Sequence, residues 1–310
     1  MPPLFDLPFS TDMTLYVFNP EHDLCLANGD ANYLPPASAL SFARRGGNAM
    51  RILYGDAVDV IAADDYAQWQ RWHELPDAVV PWGWDLRLKR TLLRQSMPSR
   101  LLLSDDVLAD IRRLQHRATL LPLQPHARCL SNADAVRELL AERGELLLKA
   151  PWSGAGWGLR HVSGTLTSHD EGWLARMLAL QGAVIVETFF ADKGDDFAIE
   201  FLLHDGKACP VGLSLFRVRN GRYQCNELLY DDDIRRRLSL PDTLVERLAG
   251  WLDEYVAPHY EGFMGIDLFV ADGTFVVAEM NLRHTMGWVA HRFLEQHPEQ
   301  RGKLWSPDLI

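Results

Sequence analysis

The chain has 310 residues, of which 47% are hydrophobic and 24% charged, the balance of a globular protein whose core needs no disulfide or metal to fold. Acidic residues outnumber basic residues by 42 to 31, and the net charge of −11 argues against a general DNA- or RNA-binding protein. The four cysteines form no C-x-x-C pair, and no apolar run is long enough for a membrane span. We therefore expect a cytoplasmic protein with free thiols, no membrane contact and about two domains.

The first third of the sequence alternates between strand-like and helix-like runs. The strand-like runs are residues 14–19, 49–55 and 78–84, and the runs with helical spacing are residues 37–45 and 86–95. Strands that alternate with helices favour a parallel sheet. We therefore expect an N-terminal α/β domain over residues 1–104, in which the first twelve residues are a loose extension without the pattern of a signal peptide.

The remaining two thirds of the sequence are richer in strands and indicate an α+β region. Helical patterns cover residues 105–121, 131–144 with Ser131 as the cap, 242–256, and a last helix from Met286. Strand patterns cover residues 145–151, 183–190, 196–203, 208–218, 222–229, 262–271 and 274–282. We expect one domain over residues 105–310, with a first lobe at 105–186 and a second lobe at 187–310.

A glycine-rich loop follows the strand that ends at Lys149. Its small residues are Ser153, Gly154, Ala155, Gly156 and Gly158. Glycines allow backbone N–H groups to approach phosphate oxygens, and a lysine adds a positive charge. The loop lacks the Lys-Ser/Thr pair of a Walker A motif, and Leu159 replaces the third glycine of a dinucleotide-binding motif. Two interpretations remain: a flap between two strands that covers phosphates, and a glycine-rich hairpin turn.

Two consecutive strands near the C-terminus carry a set of oxygen ligands. Glu279 and Asn281 are two residues apart and share one face of their strand, and Arg283 follows in the same phase. Asp267 lies in the preceding strand, and nearly all neighbours of both carboxylates are apolar. Buried carboxylates need a counter-charge, and carboxylate and amide oxygens are ligands that Mg²⁺ prefers. The set therefore indicates a magnesium site, and a solvated strand face is the alternative.

The connection between these two strands decides whether Asp267 faces Glu279. A regular hairpin with a two-residue turn at 272–273 would pair Asp267 with Ala278. Glu279 would then point to the other face. We therefore predict a connection with an odd number of residues, with Gly273 in the left-handed region and a bulge at the turn.

A polar segment, residues 18–36, follows the first strand. Its polar residues include Asn19, Glu21, His22, Asp23, Asn28 and Asp30. They would lie at the carboxyl end of the parallel sheet, where ligands bind in open α/β folds. The segment is therefore a candidate for substrate binding, and a long turn with side-chain caps is the alternative. His284 and Trp288 are further pocket candidates, for which positions in the core are favoured.

These motifs, in this order, resemble the ATP-grasp superfamily over residues 105–295. The shared series is a basic residue on a helix, a strand with Lys149 before a glycine loop, an apolar strand that ends in Glu187, an acidic residue shortly after it, and the pattern D-x₁₁-E-x-N-x-R that starts at Asp267. The resemblance implies an N-terminal domain of the pre-ATP-grasp type, followed by an ATP-grasp domain of two lobes.

The resemblance also implies a role for each matching residue. Lys149 would contact the α- and β-phosphates of ATP, and Arg117 would help to hold the nucleotide. The other expected nucleotide contacts are Ser153, Gly154, Ala155 and Gly156 in the flap, Glu187, Thr188, Phe189 and Phe190 in the adenine hinge, and Asp196, with Asp195 as its competitor, at the ribose. Asp267, Glu279 and Asn281 would hold one or two Mg²⁺ ions. Arg283 would stabilise the transferred phosphoryl group, so Lys149 and Arg283 are the candidate catalytic residues.

The activity that the resemblance implies is ATP-dependent ligation. ATP would phosphorylate a substrate carboxylate to an acylphosphate, and a small-molecule amine or thiol would then displace phosphate. Amino acids and short peptides are candidate substrates, whereas the individual carboxylate, the amine and the oligomeric state are not predicted. A small-molecule kinase on the same scaffold and a non-catalytic nucleotide-binding sensor are the alternatives.

Overall fold

The computed structural model describes residues 13–65, 68, 75–153, 158–219 and 221–306. The α-helices in this part are α1 His22–Asn28, α2 Ala37–Arg45, α3 Asn48–Tyr54, α4 Leu86–Arg94, α5 Asp105–Leu114, α6 Ala133–Arg143, α7 Ser168–Gln181, α8 Asp231–Leu238, α9 Asp242–Tyr255 and α10 Met286–Gln296. The strands are β1 Thr14–Phe18, β2 Val60–Ala62, β3 Ala78–Pro81, β4 Ala127–Leu130, β5 Glu145–Lys149, β6 Leu159–Ser163, β7 Val184–Thr188, β8 Lys193–His204, β9 Lys207–Arg219, β10 Arg222–Glu227, β11 Gly262–Ala271, β12 Thr274–Asn281 and β13 Leu304–Trp305. Short 3₁₀ helices cover Ser99–Leu101, Arg117–Leu123 and Pro298–Gln300. No helix in these residues is both long enough and apolar enough to cross a membrane.

The N-terminal strands form a parallel sheet in the order β2-β1-β3, as predicted. The central strand β1 is buried along its whole length, which agrees with its continuous apolar sequence. Helices α2 and α4 lie where the helical spacing predicts them. Residues just after β1 and β3 contact the C-terminal part of the chain, since Asp23 pairs with Arg283 and the carbonyl of Trp82 accepts the backbone N–H of His284 at 2.9 Å.

The predicted strand at residues 49–55 is wrong, because these residues form α3. Ala49, Met50 and Leu53 are the buried residues of this helix, and their spacing places them on one helical face. That face packs against α10 from the other end of the chain. A short apolar run fits the strand and helix periods equally well, so the distant partner decides its structure.

Two antiparallel sheets form the rest of the protein. A four-stranded sheet has the order β4-β7-β5-β6, and a six-stranded sheet has the order β12-β11-β8-β9-β10-β13. Val136 of α6 and Leu174 of α7 pack on the smaller sheet, and Ile234 of α8 and Leu248 of α9 pack on the larger sheet. Helix α5 also belongs to the core of the larger sheet. The lobe boundaries inferred from the sequence stay a prediction.

The predicted helix over residues 105–121 is interrupted. Helix α5 ends at Leu114, and the chain resumes as the 3₁₀ helix that begins at Arg117. This second segment runs beside the end of β5, because the backbone N–H of Arg117 donates to the carbonyl of Pro151 at 3.0 Å. The cap of α6 is Asn132 and not Ser131, since the Asn132 side chain accepts the N–H of Ala135. The elements α1, α7, α8, β2, β4 and β13 are absent from the sequence prediction.

The hairpin of β11 and β12 combines a predicted pairing with an unpredicted connection. Ala271 pairs with Thr274, so the turn has two residues and the predicted odd connection is wrong. Both turn residues have positive φ, 49° at Asp272 and 69° at Gly273, as a two-residue hairpin turn requires. Asp267 nevertheless lies opposite Glu279, as predicted, because a bulge inserts an extra residue between positions 277 and 279.

Candidate active site

A cavity of about 840 Å³ lies between the three sheets. The N-terminal part of the chain contributes Asp23 and Trp82 to its wall. The site residues predicted from the sequence that line it are Arg117, Lys149, Glu187, Thr188, Phe189, Phe190, Asp196, Asp267, Glu279, Asn281 and Arg283. The topology therefore brings together residues from the whole length of the 105–283 region.

Lys149 lies at the last position of β5 and reaches Glu187 on the neighbouring strand β7. Its Nζ is 2.7 Å from Oε1 of Glu187, and both side chains are at most 8% exposed. The Nζ also donates to the carbonyl of Ala278 at 3.4 Å. This contact joins the smaller sheet to the larger sheet across the cavity, and it provides a buried cation whose charge is balanced by one carboxylate.

Arg117 connects the start of the glycine loop to the opposite wall of the cavity. Its Nη1 donates to the carbonyl of Ala150 at 2.6 Å and to Oγ of Ser153 at 2.8 Å, and its Nη2 donates to Oε1 of Glu279 at 2.5 Å. Its planar fork of donors suits several oxygens at once, which a lysine ammonium does less well. The predicted flap residues Gly154, Ala155 and Gly156 lie outside the described residues. The strands on both sides of the loop, β5 and β6, pair as an antiparallel hairpin.

Two aromatic residues that follow Glu187, Phe189 and Phe190, line the cavity. The ring of Phe189 stacks on His161, with centroids 3.8 Å apart, and the ring of Phe190 lies edge-on to Phe269. Thr188 accepts a hydrogen bond from Nη1 of Arg143 at 3.1 Å. Apolar ring faces beside backbone polar groups provide a surface that suits a planar heterocycle.

Asp195 and Asp196 point to opposite faces of β8, as neighbours in a strand do. Asp196 lines the cavity and pairs with Lys193, three residues earlier. Burial raises the pKa of Asp196, and the Lys193 charge opposes that effect. Asp195 instead accepts two hydrogen bonds from Arg237, at 2.8 and 2.9 Å. Of the two competitors, Asp196 is therefore the one at the cavity.

The carboxylates of Asp267 and Glu279 face each other across the hairpin. Nδ2 of Asn281 donates to Oδ2 of Asp267 at 3.1 Å, so the three predicted metal ligands form one group. Burial, followed by the charges of Glu279 and Glu200, raises the pKa of Asp267 to about 8. Crowded carboxylates with hard oxygen donors need a cation, so this donor set fits Mg²⁺.

Arg283 lies just beyond β12 and binds a carboxylate from the segment that follows β1. Its Nε and Nη2 donate to the two carboxylate oxygens of Asp23, at 3.0 and 2.9 Å, and Nη2 also donates to Oδ1 of Asn281 at 3.0 Å. Although burial alone lowers the pKa of Arg283, the charge of Asp23 holds it above its ordinary value. Asp23 was one of six polar candidates in the 18–36 segment, and it lines the cavity.

The sequence prediction missed Glu200, which lines the cavity from β8. It is only 1% exposed and accepts hydrogen bonds from Oγ of Ser214 at 3.2 Å and Oγ1 of Thr285 at 2.8 Å. Burial raises the pKa of Glu200 to about 7, while these two hydroxyl groups oppose the rise. The sequence did indicate this position, because Glu200 is four residues after Asp196 and the two side chains therefore share one face of the strand.

The other polar candidates do not meet in the cavity. Asn28 and Asp30 are exposed, and Asn28 accepts the backbone N–H of Asp30 as in a side-chain turn. His284 lies in the core with its Nε2 2.6 Å from the hydroxyl of Tyr54, and Trp288 stacks on Phe263. For these two residues the favoured interpretation, a place in the core, agrees with the structure.

The two antiparallel sheets, the cavity between them and the preceding parallel sheet define the ATP-grasp fold. Solved structures of ATP-grasp proteins match the chain over nearly its whole length. D-cycloserine synthetase DcsG matches with a TM-score of 0.54 at 18% identity, over 91% of this chain and 99% of that chain. D-alanyl-alanine synthetase A from Vibrio cholerae matches with a TM-score of 0.52 at 14% identity, over 93% and 94%.

A third structure, N5-carboxyaminoimidazole synthetase from Staphylococcus aureus in complex with ADP, has a TM-score of 0.51 at 12% identity, over 92% of this chain and 77% of that chain. No protein-family model matches the sequence, and no curated protein matches it. The three structural matches confirm, as a likeness of fold, the resemblance that the sequence motifs indicated.

Proposed function

We propose that the protein is an ATP-dependent ligase. It phosphorylates a small-molecule carboxylate to an acylphosphate, joins the acyl group to an amine or thiol, and releases ADP and phosphate. The observation that carries this proposal is the pairing of Asp267 with Glu279 across β11 and β12, beside the side chains of Asn281 and Arg283. The three matched structures are synthetases by name, and one of them holds ADP, which supports the same class of reaction.

In this proposal, ATP lies along the cavity face of the two lobes. The adenine ring occupies the segment from Glu187 to Phe190, and the ribose hydroxyls donate to Asp196. Lys149 and Arg117, whose present partners are carboxylates of the site, bind phosphate oxygens instead. Ser153, Gly154, Ala155 and Gly156 cover the phosphates as a flap. Mg²⁺ held at Glu279 would take over from Arg117 the balance of charge at that carboxylate.

Asp267, Glu279 and Asn281 hold one or two Mg²⁺ ions. When bound, Mg²⁺ supplies positive charge to the phosphates and relieves the repulsion between the two carboxylates. Arg283 stabilises the phosphoryl group in transfer. Catalysis then consists of positioning and charge neutralisation, and no side-chain nucleophile is required. The cytoplasmic location and the amino acid or peptide nature of the substrates remain predictions.

The test is incubation of the protein with MgATP and pools of amino acids and dipeptides, with ADP, free phosphate and new products measured. Free phosphate with a new amide or thioester bond supports the ligase. Phosphate retained on a product identifies a kinase, and ATP binding without ADP formation across the pools identifies a sensor.

The matched variants are Glu279→Gln and Glu138→Gln. We expect Glu279→Gln to lower turnover by about 100-fold or more, because a ligand to the metal is lost. Glu138 lies exposed on α6, so its variant serves as the control. Wild-type turnover in Glu279→Gln, with an unchanged circular dichroism spectrum, would contradict the metal assignment.

A further inference from the structure

Three buried side chains at the start of α1 bind the loop before α4 and the first turn of α4. Nδ2 of Asn19 donates to the carbonyl of Gly83 at 2.8 Å, Nδ1 of His22 is 3.3 Å from Oδ2 of Asp85, and Glu21 accepts from Nη1 of Arg87 at 2.9 Å. These three residues of the 18–36 segment are at most 2% exposed. Although Oε2 of Glu21 and Nε2 of His22 have no hydrogen-bond partner among the described residues, each of these bonds joins residues 63 to 66 positions apart in sequence and restrains the start of α1. The start of α1 is therefore a firm platform.

Asp23 projects from this platform into the cavity and meets Arg283, which is 260 positions away in sequence. The two side chains are 13% and 17% exposed, so each reaches the cavity while most of its surface is covered. The Arg283 charge and hydrogen bonds hold the pKa of Asp23 below its ordinary value against the effect of burial. The contact is a charge-assisted pair with two parallel hydrogen bonds, the geometry that fixes the plane of a guanidinium group most firmly.

The five N–H bonds of Arg283 are nearly all used. Asp23 takes the Nε–H and one Nη2–H, Asn281 takes the other Nη2–H, and the carbonyl of His284 takes one Nη1–H at 3.0 Å. Among the described residues, one Nη1–H has no protein partner. A guanidinium held in this way presents a single donor in a fixed direction.

We propose that Asp23 is a positioning residue that fixes Arg283 for phosphoryl transfer, and that the 18–36 segment serves to hold Asp23. This inference rests on the proposed ligase function and assigns a part in it to the N-terminal domain. In this proposal Asp23 acts through Arg283 and not by contact with nucleotide or metal. It sets the plane of the Arg283 guanidinium, so that the remaining donor meets the phosphoryl group without reorganisation.

Kinetics of Asp23→Ala separate positioning from binding. We expect kcat to fall by about 100-fold, the order reported for small misplacements of a catalytic group, while KM for ATP stays within about threefold. Formate, a free carboxylate that fits the space left by the removed side chain, should restore at least about tenfold of kcat in this variant. It should restore none in Glu279→Gln and should leave the wild type unchanged. A purely structural role for Asp23 is not rescued by formate.

A second measurement does not depend on turnover. In ¹H–¹⁵N spectra of arginine side chains, the Nε–H of Arg283 should be slow to exchange with solvent in the wild type, exposed in Asp23→Ala, and slow again after formate is added. Arg283→Lys identifies the signal, and Asp56→Ala, an exposed change in the same domain, is the control.

The outcomes decide the two proposals separately. A wild type without ADP formation defeats the ligase proposal, and the arginine spectra still decide whether Asp23 fixes Arg283. An Arg283 signal unchanged in Asp23→Ala, a kcat within threefold of the wild type, or a loss of kcat that formate does not restore overturns the positioning role.

Discussion

Gln124 holds the bulge that makes Asp267 and Glu279 opposite neighbours. Its Nε2 donates to the carbonyls of Val277 at 2.9 Å and Ala278 at 3.3 Å, the two residues where β12 departs from regular pairing. A bulge removes backbone groups from the ladder, and buried groups of this kind need other partners. The Gln124 side chain, 2% exposed at the end of the 3₁₀ helix, is that partner.

We therefore predict that Gln124→Leu lowers the free energy of unfolding by about 1–3 kcal/mol, because the buried carbonyl of Val277 loses its side-chain donor and the carbonyl of Ala278 keeps only the longer bond from Lys149, while side-chain volume is kept. It should also raise the Mg²⁺ concentration needed for half-maximal turnover, since the bulge aligns the two carboxylates. Urea unfolding and a magnesium titration check both effects. Gln296→Leu removes an exposed bond to the carbonyl of Ile52 and should change stability by less than about 0.5 kcal/mol. Equal stability of the two variants would show that the bulge does not depend on Gln124.

The sequence predicted site residues correctly where the chemistry of their side chains and the two-residue period of a strand placed them on one face. Asp267, Glu279, Asn281 and Arg283 lie in two apolar strands with an obvious turn between them, so their shared face follows from the period of two. The location of the bulge does not follow from it, because the donor that stabilises the bulge comes from a segment about 150 residues earlier. The sequence analysis therefore predicted correctly that Asp267 lies opposite Glu279, but it placed the extra residue at the turn, whereas the structure has it within β12.

Long-range contacts account for the other differences. The contact of Asp23 with Arg283 spans 260 positions, and no local pattern marks one acid among the six polar residues of its segment. Helix α3 owes its structure to α10, which no local preference reveals. Glu200 is a different case, because the local pattern does reveal its position. The alternation of side chains along β8 places Glu200 on the same face as Asp196, so it could have been predicted as a site residue.

Variants of the buried pair of Lys149 and Glu187 can separate the effect of Lys149 on ATP affinity from its effect on the stability of the fold. We predict that Lys149→Met lowers the free energy of unfolding by about 3 kcal/mol, because Glu187 is left as an unpaired buried charge. Lys149→Met with Glu187→Leu should recover most of that loss, since neither charge remains. Both variants should bind ATP at least about tenfold more weakly, because a charged donor to phosphate is missing.

Equilibrium binding of a fluorescent ATP analogue and urea unfolding provide the two measurements. Lys303→Met, at an exposed lysine near the end of the chain, is the control for loss of a positive charge. Wild-type affinity for ATP in the double variant would remove Lys149 from the nucleotide site, whatever its effect on stability.

His291 predicts a pH dependence of stability that is independent of the active site. Its Nδ1 is 3.5 Å from Asp231 and its Nε2 is 3.4 Å from Glu295, which joins α10 to the start of α8. Burial lowers the pKa of His291, but the hydrogen bonds and charges of these two carboxylates outweigh burial and raise the pKa to about 9. The ordinary value of 6.5 applies to the unfolded chain, so the folded protein binds the proton more tightly between these two values.

The protonated histidine therefore stabilises the fold fully below pH 6.5, and this contribution disappears as the pH rises to about 9. A shift of this size corresponds to about 3 kcal/mol. We predict that wild type exceeds His291→Gln in unfolding free energy by a constant amount below pH 6, and that the difference shrinks by about 3 kcal/mol between pH 6.5 and 9. Urea unfolding of both proteins across this range is the measurement. Other groups that titrate there affect both curves alike, and His297→Gln, at an exposed histidine directly after α10, should follow the wild-type curve. A difference between wild type and His291→Gln that stays constant from pH 6 to 9.5 would show that folding does not raise the pKa of His291.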